Sequence, residues 1–376
     1  MNRLRPVLLL ALTSAGTLTA CSDTAPPTAP SASRASASVL ASRDHDGTSR
    51  DHDGSGIGRF TTIDPPQATD AAALAINDRG TIVGRYADAN GRTHGFLRTP
   101  RGEFTTIDFP RASFTVAAAI NNRGAISGMY SLPTAPTVRH GFLLTNGSLR
   151  TFDPPGSSFT NALGINDGND VVGRFCTLFI GKCRPPGDVH VRGFLFRDGS
   201  FTIFEVPGSV ETDAFAINNR GQIVGAYQTA DRQTQLFVLR EGEFTTIALP
   251  DGVPVSLDKG GINDRGDIVG AYCDGAPPCD VLPTGTHGFL MSDRRFRTID
   301  FPGASATAAF GINNRGQIVG GYFVHGMNVA HAYLLHDLVQ QDAVDEAAHA
   351  DANGDAGALG GRGERRGWEG GHRGLR

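Results

Sequence analysis

The sequence has very little lysine, a single tryptophan and no excess of positive charge. Lys182 and Lys259 are the only lysines among 376 residues, Trp368 is the only tryptophan, and the formal net charge at pH 7 is −4. A slightly acidic chain of this kind lacks the clustered basic residues of nucleic-acid-binding proteins. We therefore expect no nucleic-acid partner. The tryptophan lies near the C-terminus, so the rest of the chain offers no indole ring on which a sugar could stack.

The sequence also lacks the common catalytic and cofactor motifs. It contains no HExxH zinc motif, no G-x-S-x-G nucleophile elbow, and no Walker or Rossmann phosphate loop. Two DHDG runs within 42–54 and the DANGD run at 351–355 lie in polar segments without hydrophobic periodicity, and the latter lacks the closing acidic ligand of a calcium loop. We therefore expect neither a cofactor nor a bound metal.

The first residues predict export and lipid attachment. Arg3 and Arg5 precede a short apolar stretch at 6–15, and the segment ends in Leu-Thr-Ala-Cys at 18–21. This ending resembles a bacterial lipobox, which implies cleavage before Cys21 and attachment of the protein to a membrane through that residue. Ser22 is typical of sorting to the outer membrane, so we expect an outer-membrane lipoprotein facing the cell surface or the periplasm.

The four other cysteines fall in two close pairs. An even number in an exported chain favours disulfides, and no histidine accompanies the pairs at zinc-ligand spacing. A zinc site is the alternative, but it would require both pairs to converge. We therefore predict the bonds Cys176–Cys183 and Cys273–Cys279.

A repeated unit occupies the middle of the chain. Its most regular element is I-N-x-x-G, followed by a Gly-x-aromatic run, then H-G-F-L or a variant, then F-T-T-I-D or a variant. The asparagine of this element occurs six times, at intervals of 44 to 52 residues: Asn77, Asn121, Asn166, Asn218, Asn263 and Asn313.

Each element of the repeat is typical of a β-strand. The runs are short, rich in branched and aromatic residues, and separated by Gly, Pro and Asn-Asp turns. Four antiparallel strands per repeat fit the blade of a β-propeller better than the coil of a solenoid. We therefore predict an all-β, six-bladed β-propeller whose first strands line the central axis.

The arrangement of the repeats predicts how the ring closes. A strand of the F-T-T-I-D type at 60–64 precedes the first repeat, whereas the last repeat lacks its fourth strand. The strand at 60–64 should therefore pair with 331–335 and complete the last blade. The predicted organisation is a signal peptide at 1–20, a lipidated cysteine and flexible tether at 21–59, the propeller at 60–336, and a disordered Gly/Arg-rich tail at 337–376.

These repeats resemble the HAF-type extracellular repeats of bacterial exported proteins. The resemblance covers residues 60–335 and implies an exported β-repeat protein without known catalytic residues. Two repeats depart from H-G-F-L, since Arg192 replaces the histidine in the third and QLFV occupies 235–238 in the fourth. These departures argue that the repeated histidine has a structural role at the start of a strand, with a backbone partner, and does not form a metal ring.

The connections between the second and third strands of each repeat vary most. They occupy 87–93, 131–139, 176–191, 228–234, 273–286 and 323–330, and variable loops on a rigid scaffold commonly carry binding sites. We expect any site on this face, near the axis. Polar residues concentrate there in the third to fifth repeats, and the candidate ligand-binding residues are Asn161, Asp188, Asp213, Asp258, Lys259 and Asp274.

The sequence permits three functions. The alternative for the candidate residues is that they are exposed polar strand ends without any function. The first is a monomeric, non-enzymatic binding module that presents its irregular face to an envelope protein or glycan. The second is a carbohydrate-active hydrolase or lyase, in which paired carboxylates at the axial opening perform acid–base chemistry. A purely structural envelope protein is a third possibility.

Overall fold

The computed structural model describes residues 58–177, 191–249, 255, 259–274, 285–293, 295–325 and 329–336. Over these ranges the regular structure consists of β-strands without any helix, so the predicted all-β class is confirmed. The predicted signal peptide, lipidated Cys21, tether and tail lie outside the described residues.

The strands form antiparallel sets of four, one set per sequence repeat. The first strand of the chain is β1 (Phe60–Thr62), which belongs to the last set. Set 1 contains β2 (Asp70–Ile76), β3 (Ile82–Ala87), β4 (Thr93–Arg98) and β5 (Phe104–Ile107). Set 2 contains β6 (Phe114–Ile120), β7 (Ile126–Leu132), β8 (Ala135–Thr145) and β9 (Ser148–Phe152). Set 3 contains β10 (Phe159–Ile165), β11 (Val171–Cys176), β12 (Arg192–Arg197) and β13 (Ser200–Phe204).

The other three sets follow the same order. Set 4 contains β14 (Ser209–Ile217), β15 (Ile223–Thr229), β16 (Thr234–Arg240) and β17 (Glu243–Ile247). Set 5 contains β18 (Gly261–Ile262), β19 (Ile268–Cys273), β20 (Thr286–Ser292) and β21 (Arg295–Ile299). Set 6 contains β22 (Ala304–Ile312), β23 (Ile318–Val324) and β24 (Ala330–Leu335), with β1 as its fourth strand.

One predicted connection is wrong. The segment 131–139 was expected to be an irregular loop, but β7 continues to Leu132 and β8 begins at Ala135, opposite it. The Thr-rich, β-branched composition of 134–138 extends the hairpin instead of ending it.

The N-terminal strand β1 pairs antiparallel with β24, as the repeat count predicts. Phe60 lies opposite Leu335, is 1% exposed and packs its ring against Phe301 and Tyr333. Just after β1, Asp64 accepts a hydrogen bond from Nδ1 of His331 at 2.6 Å. Residues nearly 270 positions apart in sequence are therefore joined by main-chain strand pairing, by the buried ring of Phe60 and by a side-chain hydrogen bond.

Replacing Phe60 by alanine should lower the free energy of unfolding by about 3–5 kcal/mol, because a fully buried aromatic side chain is lost from the junction of the chain ends. The matched control is Phe104→Ala, at the same position of the F-T-T-I-D motif in set 1, where the phenylalanine is only half-buried. Urea unfolding of both variants measures the difference. Equal losses would contradict a special role for the N-terminal strand.

The second strand of each set passes very close to the first. In set 1 a β-bulge between Ala73 and Ala75 pushes the carbonyl of Ala72 toward Gly84. A Cβ atom built on Gly84 would lie 2.1 Å from that oxygen and 2.7 Å from the ring of Phe96. The first-strand carbonyl and the aromatic residue of the third strand thus explain why this position is glycine in set 1, and glycine occupies it in every repeat.

The repeated histidine packs inside its own set. His94 Nδ1 bonds Asp108 Oδ1 at 2.9 Å, and its ring stacks on Tyr86. The expected backbone partner was wrong, because the partner is the aspartate that ends the fourth strand. The same pairing recurs at His140–Asp153, His287–Asp300 and His331–Asp64, and Arg192–Glu205 replaces it in set 3.

The repeated asparagine organises the turn after each first strand. Asn77 Oδ1 accepts hydrogen bonds from the main-chain N–H groups of Arg79 and Thr81, and Gly80 adopts a positive φ of 81°. Its Nδ2 donates to the carbonyl of Asn121 in the next set. The same inter-set bond returns from Asn313 to Asn77, so the last set contacts the first.

The residue after each asparagine forms a second cycle. Aspartate and asparagine alternate at this position, and the main-chain N–H of each residue donates to Oδ1 of the next at 2.8 Å. Each asparagine amide also donates to the aspartates on both sides. We call this the Asp/Asn ring: Asp78, Asn122, Asp167, Asn219, Asp264 and Asn314.

The Asp/Asn ring should make stability sensitive to acid. Burial opposes ionisation of Asp264, but hydrogen bonds from Asn219 and Asn314 outweigh it and lower the pKa of the carboxyl below its usual value. Because the folded-state pKa is depressed, the stabilisation is present above about pH 4 and is lost as pH falls through the folded value. Thermal unfolding from pH 7 to pH 2.5 should show this acid limb, and Asp264→Asn should flatten it while lowering stability at pH 7. Parallel pH profiles would contradict the assignment.

Candidate functional site

A cavity of about 460 Å³ lies among the first strands, at the end opposite the Asp/Asn ring. Its volume is within the range of small-molecule sites. The first strands supply much of its wall through their N-terminal halves, where alternate residues point inward. Residues of sets 1, 2, 3 and 6, with Lys259 before β18, line it, including Leu74, Val116, Leu163, Ala308 and Phe310.

Lys259 is the deepest cationic group of the cavity. It is 6% exposed, and its Nζ donates hydrogen bonds to the carbonyls of Ala118 at 2.5 Å and Leu163 at 3.1 Å. No acidic side chain in the described part of the chain forms an ion pair with it. Burial lowers the pKa of Lys259 to about 7, so the ammonium and neutral forms are both populated at neutral pH.

Arg139 is a second cation without an acidic partner among the described residues. Its guanidinium lies between the rings of Phe114 and Phe159, 4.6 and 4.8 Å from their centres. Burial, with the positive charges of Arg174 and Arg85, lowers its pKa to about 10. It remains a cation at neutral pH, held in place by the two aromatic faces.

Lys259 and Arg139 occupy two levels between the same strands. Arg139 lies between Phe114 of β6 and Phe159 of β10, and Lys259 bonds the carbonyls of Ala118 and Leu163, four residues further along each strand. Four residues of strand span about 13 Å. The cavity therefore has one cation at the level where β6 and β10 begin and one deep inside.

Two further arginines of the wall are paired. Arg174 Nη1 lies 2.6 Å from Asp213 Oδ2 and 3.8 Å from Glu211 Oε1, and Arg85 lies 2.5 Å from Asp70. Asp213 is fully buried. These carboxylates offset the charge of their arginines and leave the charges of Lys259 and Arg139 without such compensation in the described structure.

Asn161 lies on the cavity wall between the two levels. It is 3% exposed, and its Oδ1 has no hydrogen-bond partner among the described residues. A buried amide oxygen without a partner is costly unless something in the cavity supplies one. Asn161 therefore marks the cavity as a place where a hydrogen-bond donor of a ligand would gain an acceptor.

The sequence candidates separate into three groups. Asn161 and Lys259 line the cavity, and Asp213 lies behind its wall, bound to Arg174. Asp274 lies at the end of set 5, where its carboxylate is 3.7 Å from His287 Nε2 and two-thirds exposed. Asp188 and Asp258 lie outside the described residues.

The predicted disulfides are only half within the described structure. Cys176 and Cys273 are buried at the ends of β11 and β19. Cys183 and Cys279 lie outside the described residues, so both pairings stay predictions.

Sequence reasoning missed the three arginines of the wall. Aligning the repeats reveals these residues. The middle residue of the Gly-x-aromatic element is arginine in sets 1 and 3, as Arg85 and Arg174, but uncharged in the other four sets. Arg139 likewise occupies a position, just before the H-G-F-L element, that is uncharged in every other repeat. Comparing repeats for departures in charge would have found all three.

Searches for membrane-spanning and metal-binding features gave no candidates in the described ranges. No helix there is long and apolar enough to cross a membrane, and no group of three or more His, Cys, Asp or Glu side chains is placed to hold a metal ion.

No protein-family model and no curated protein sequence matches this chain. Solved structures with a similar strand arrangement include a lectin from Aleuria aurantia in complex with Fucα1-6GlcNAc, at 13% identity and a TM-score of 0.44, covering 70% of this chain and 91% of the lectin. The β-propeller domain of the Trilobed protease from Pyrococcus furiosus matches at 10% identity and a TM-score of 0.42, covering 72% and 99%.

TolB from Acinetobacter baumannii matches at 17% identity and a TM-score of 0.44, covering 61% of this chain. This chain spans about half of that protein, 54% of its length. At such identities and TM-scores, these matches carry no argument about ligand or activity.

Proposed function

We propose that this protein is a six-bladed propeller that works as a non-enzymatic binding module, with its site at the axial cavity. The six strand sets support this architecture. So do the pairing of β1 with β24 and the hydrogen bonds that return from Asn313 to Asn77 and from Asn314 to Asp78.

The observation that carries the binding function is a ligand-sized cavity with two cations that have no acidic partner in the described structure. Such a cavity attracts an anionic ligand electrostatically and encloses it by its shape. The partner class that we propose is an envelope protein or glycan presenting an anionic group to this face.

The alternative function, hydrolysis or elimination on a carbohydrate, has less support. Acid–base chemistry needs carboxyl groups within reach of substrate. Asp213 is fully buried against Arg174, and Asp274 is associated with His287 at the edge of set 5. Neither lines the cavity.

We further propose that the module is exported and attached to the outer membrane through lipidated Cys21. The lipobox-like segment and the resemblance of 60–335 to HAF-type extracellular repeats support this placement. Disulfides between Cys176 and Cys183 and between Cys273 and Cys279 belong to the same proposal, since they suit an oxidising compartment.

A binding screen tests the proposed site. Full-length protein is applied to immobilised envelope proteins and glycans, together with Arg139→Gln in the cavity wall and Arg123→Gln on an exposed turn at the opposite end. Both variants lose one positive charge. We expect binding to fall only for Arg139→Gln. Equal binding by all three proteins would contradict the site, and turnover of a glycan would favour the alternative function.

A further inference from the structure

The deep ammonium of Lys259 lacks a counter-ion in the described structure. Its two hydrogen bonds go to neutral main-chain carbonyls, and an ammonium has three N–H donors, so one remains for another acceptor. Placing an unpaired charge in a buried site costs free energy. A lysine in this position is explained if an anion completes the pair.

The wall of the cavity is largely apolar. Leu74, Val116, Leu163 and Phe310 face the cavity, and alanines occupy several of the intervening positions. Polyhydroxylated ligands would leave many hydroxyl groups without partners on such a wall. An apolar ligand body would instead bury its surface there and gain from the hydrophobic effect.

We propose that the axial cavity binds a small amphipathic monocarboxylate, whose carboxylate pairs with Lys259 and whose apolar body packs against the wall. The inference rests on the proposed binding function at this cavity, but it assigns the cavity a ligand with an apolar body in place of a polyhydroxylated glycan. Arg139 attracts the anion at the outer level.

A purely structural role for Lys259 is the competing explanation. By bonding the carbonyls of Ala118 and Leu163, the side chain connects set 5 with sets 2 and 3 across the axis. That role requires no ligand. It also predicts no dependence of any binding on the charge of Lys259.

Calorimetric titration of the purified full-length chain distinguishes the two. The probes are phenylacetate, its neutral isostere phenylacetamide, galacturonate as a polar-bodied carboxylate, and inorganic phosphate. We expect phenylacetate to bind at least about tenfold more tightly than each of the others, the difference expected for loss of a charge-assisted hydrogen bond or of apolar burial. Equal binding of phenylacetamide or galacturonate would overturn the proposed ligand class.

The pH dependence ties the ligand to Lys259. Arg85, Arg139 and Arg174 are the other charged groups lining the cavity in the described structure. Arginine side chains as a class do not titrate near neutral pH. Phenylacetate also stays ionised near neutral pH. Binding should weaken as pH rises through about 7, where Lys259 loses its proton, and should be accompanied by proton uptake above that pH.

Two variants complete the test. Lys259→Met should weaken phenylacetate binding at least about tenfold and abolish the proton uptake, whereas Arg123→Met at the opposite end should change neither. Unchanged binding by a folded Lys259→Met protein would overturn the inference. If phenylacetate does not bind, but an anionic envelope glycan or a protein binds and its binding is lost in Arg139→Gln, the ligand class is wrong while the binding function stands. Failure of both removes the proposed function as well.

Discussion

Replacing Gly320 by alanine should destabilise the protein by more than about 3 kcal/mol or prevent folding, whereas the same change at Gly321 should be nearly neutral. A Cβ on Gly320 would lie 1.9 Å from the carbonyl oxygen of Ala308 and 2.7 Å from the ring of Tyr333. A Cβ on Gly321 would meet nothing closer than 3.5 Å, from the ring of Phe310.

A Cβ atom at Gly320 could not be accommodated by a small side-chain movement. The Ala308 carbonyl belongs to β22 shortly before a β-bulge, and Tyr333 is completely buried, so backbone or core must move. Because the two glycines are neighbours in β23, loss of glycine flexibility in the unfolded chain affects both alike. Chemical denaturation of the two variants measures the difference. Equal stabilities would mean that the close approach of the strands is wrong.

Replacing Lys259 by methionine should raise the free energy of unfolding at pH 7 by about 2–4 kcal/mol, because it removes a buried charge that has no acidic partner in the described structure. Methionine has a similar length and fills the same space with apolar atoms. Ala118 and Leu163, whose carbonyls lose their donor, both line the cavity.

The pH profile distinguishes this effect from general repacking. Lys259 has a folded-state pKa of about 7, well below the ordinary value near 10.5, so the unfolded chain binds more protons between these two values. Wild-type stability therefore gains a contribution from Lys259 as pH rises from about 7 to about 10, and the methionine variant lacks it. Thermal unfolding across this range measures both curves. A lower melting temperature for Lys259→Met at pH 7 would instead support a structural role that joins the sets.

The repeat made much of the fold predictable. The I-N-x-x-G and F-T-T-I-D elements identify strands and turns by composition, and the extra strand at 60–64 predicts the pairing with β24 because the last repeat is one strand short. The connection at 131–139 was missed because its length and its two prolines resemble a loop. The pairing of β7 with β8, which extends β8 back to Ala135, depends on tertiary contacts.

The candidate site was predictable only in part. Lys259 and Asn161 could be recognised because they break a small-residue pattern near the axis. The pairing of Asp213 with Arg174 could not, since it joins β14 to β11 in a neighbouring set. The clamping of Arg139 by Phe114 and Phe159 likewise depends on how sets 2 and 3 lie side by side. Sequence distance gives no information about such contacts.

The Asp/Asn ring requires an even number of modules. Each carboxylate accepts from amides on both sides, and each amide donates to carboxylates on both sides, so donors and acceptors match only if the two residue types strictly alternate. An odd circumference would place two carboxylates or two amides next to each other. Adding or deleting two modules together should therefore be tolerated, whereas adding or deleting a single module would leave one like pair in the ring whichever of the two residues it carried.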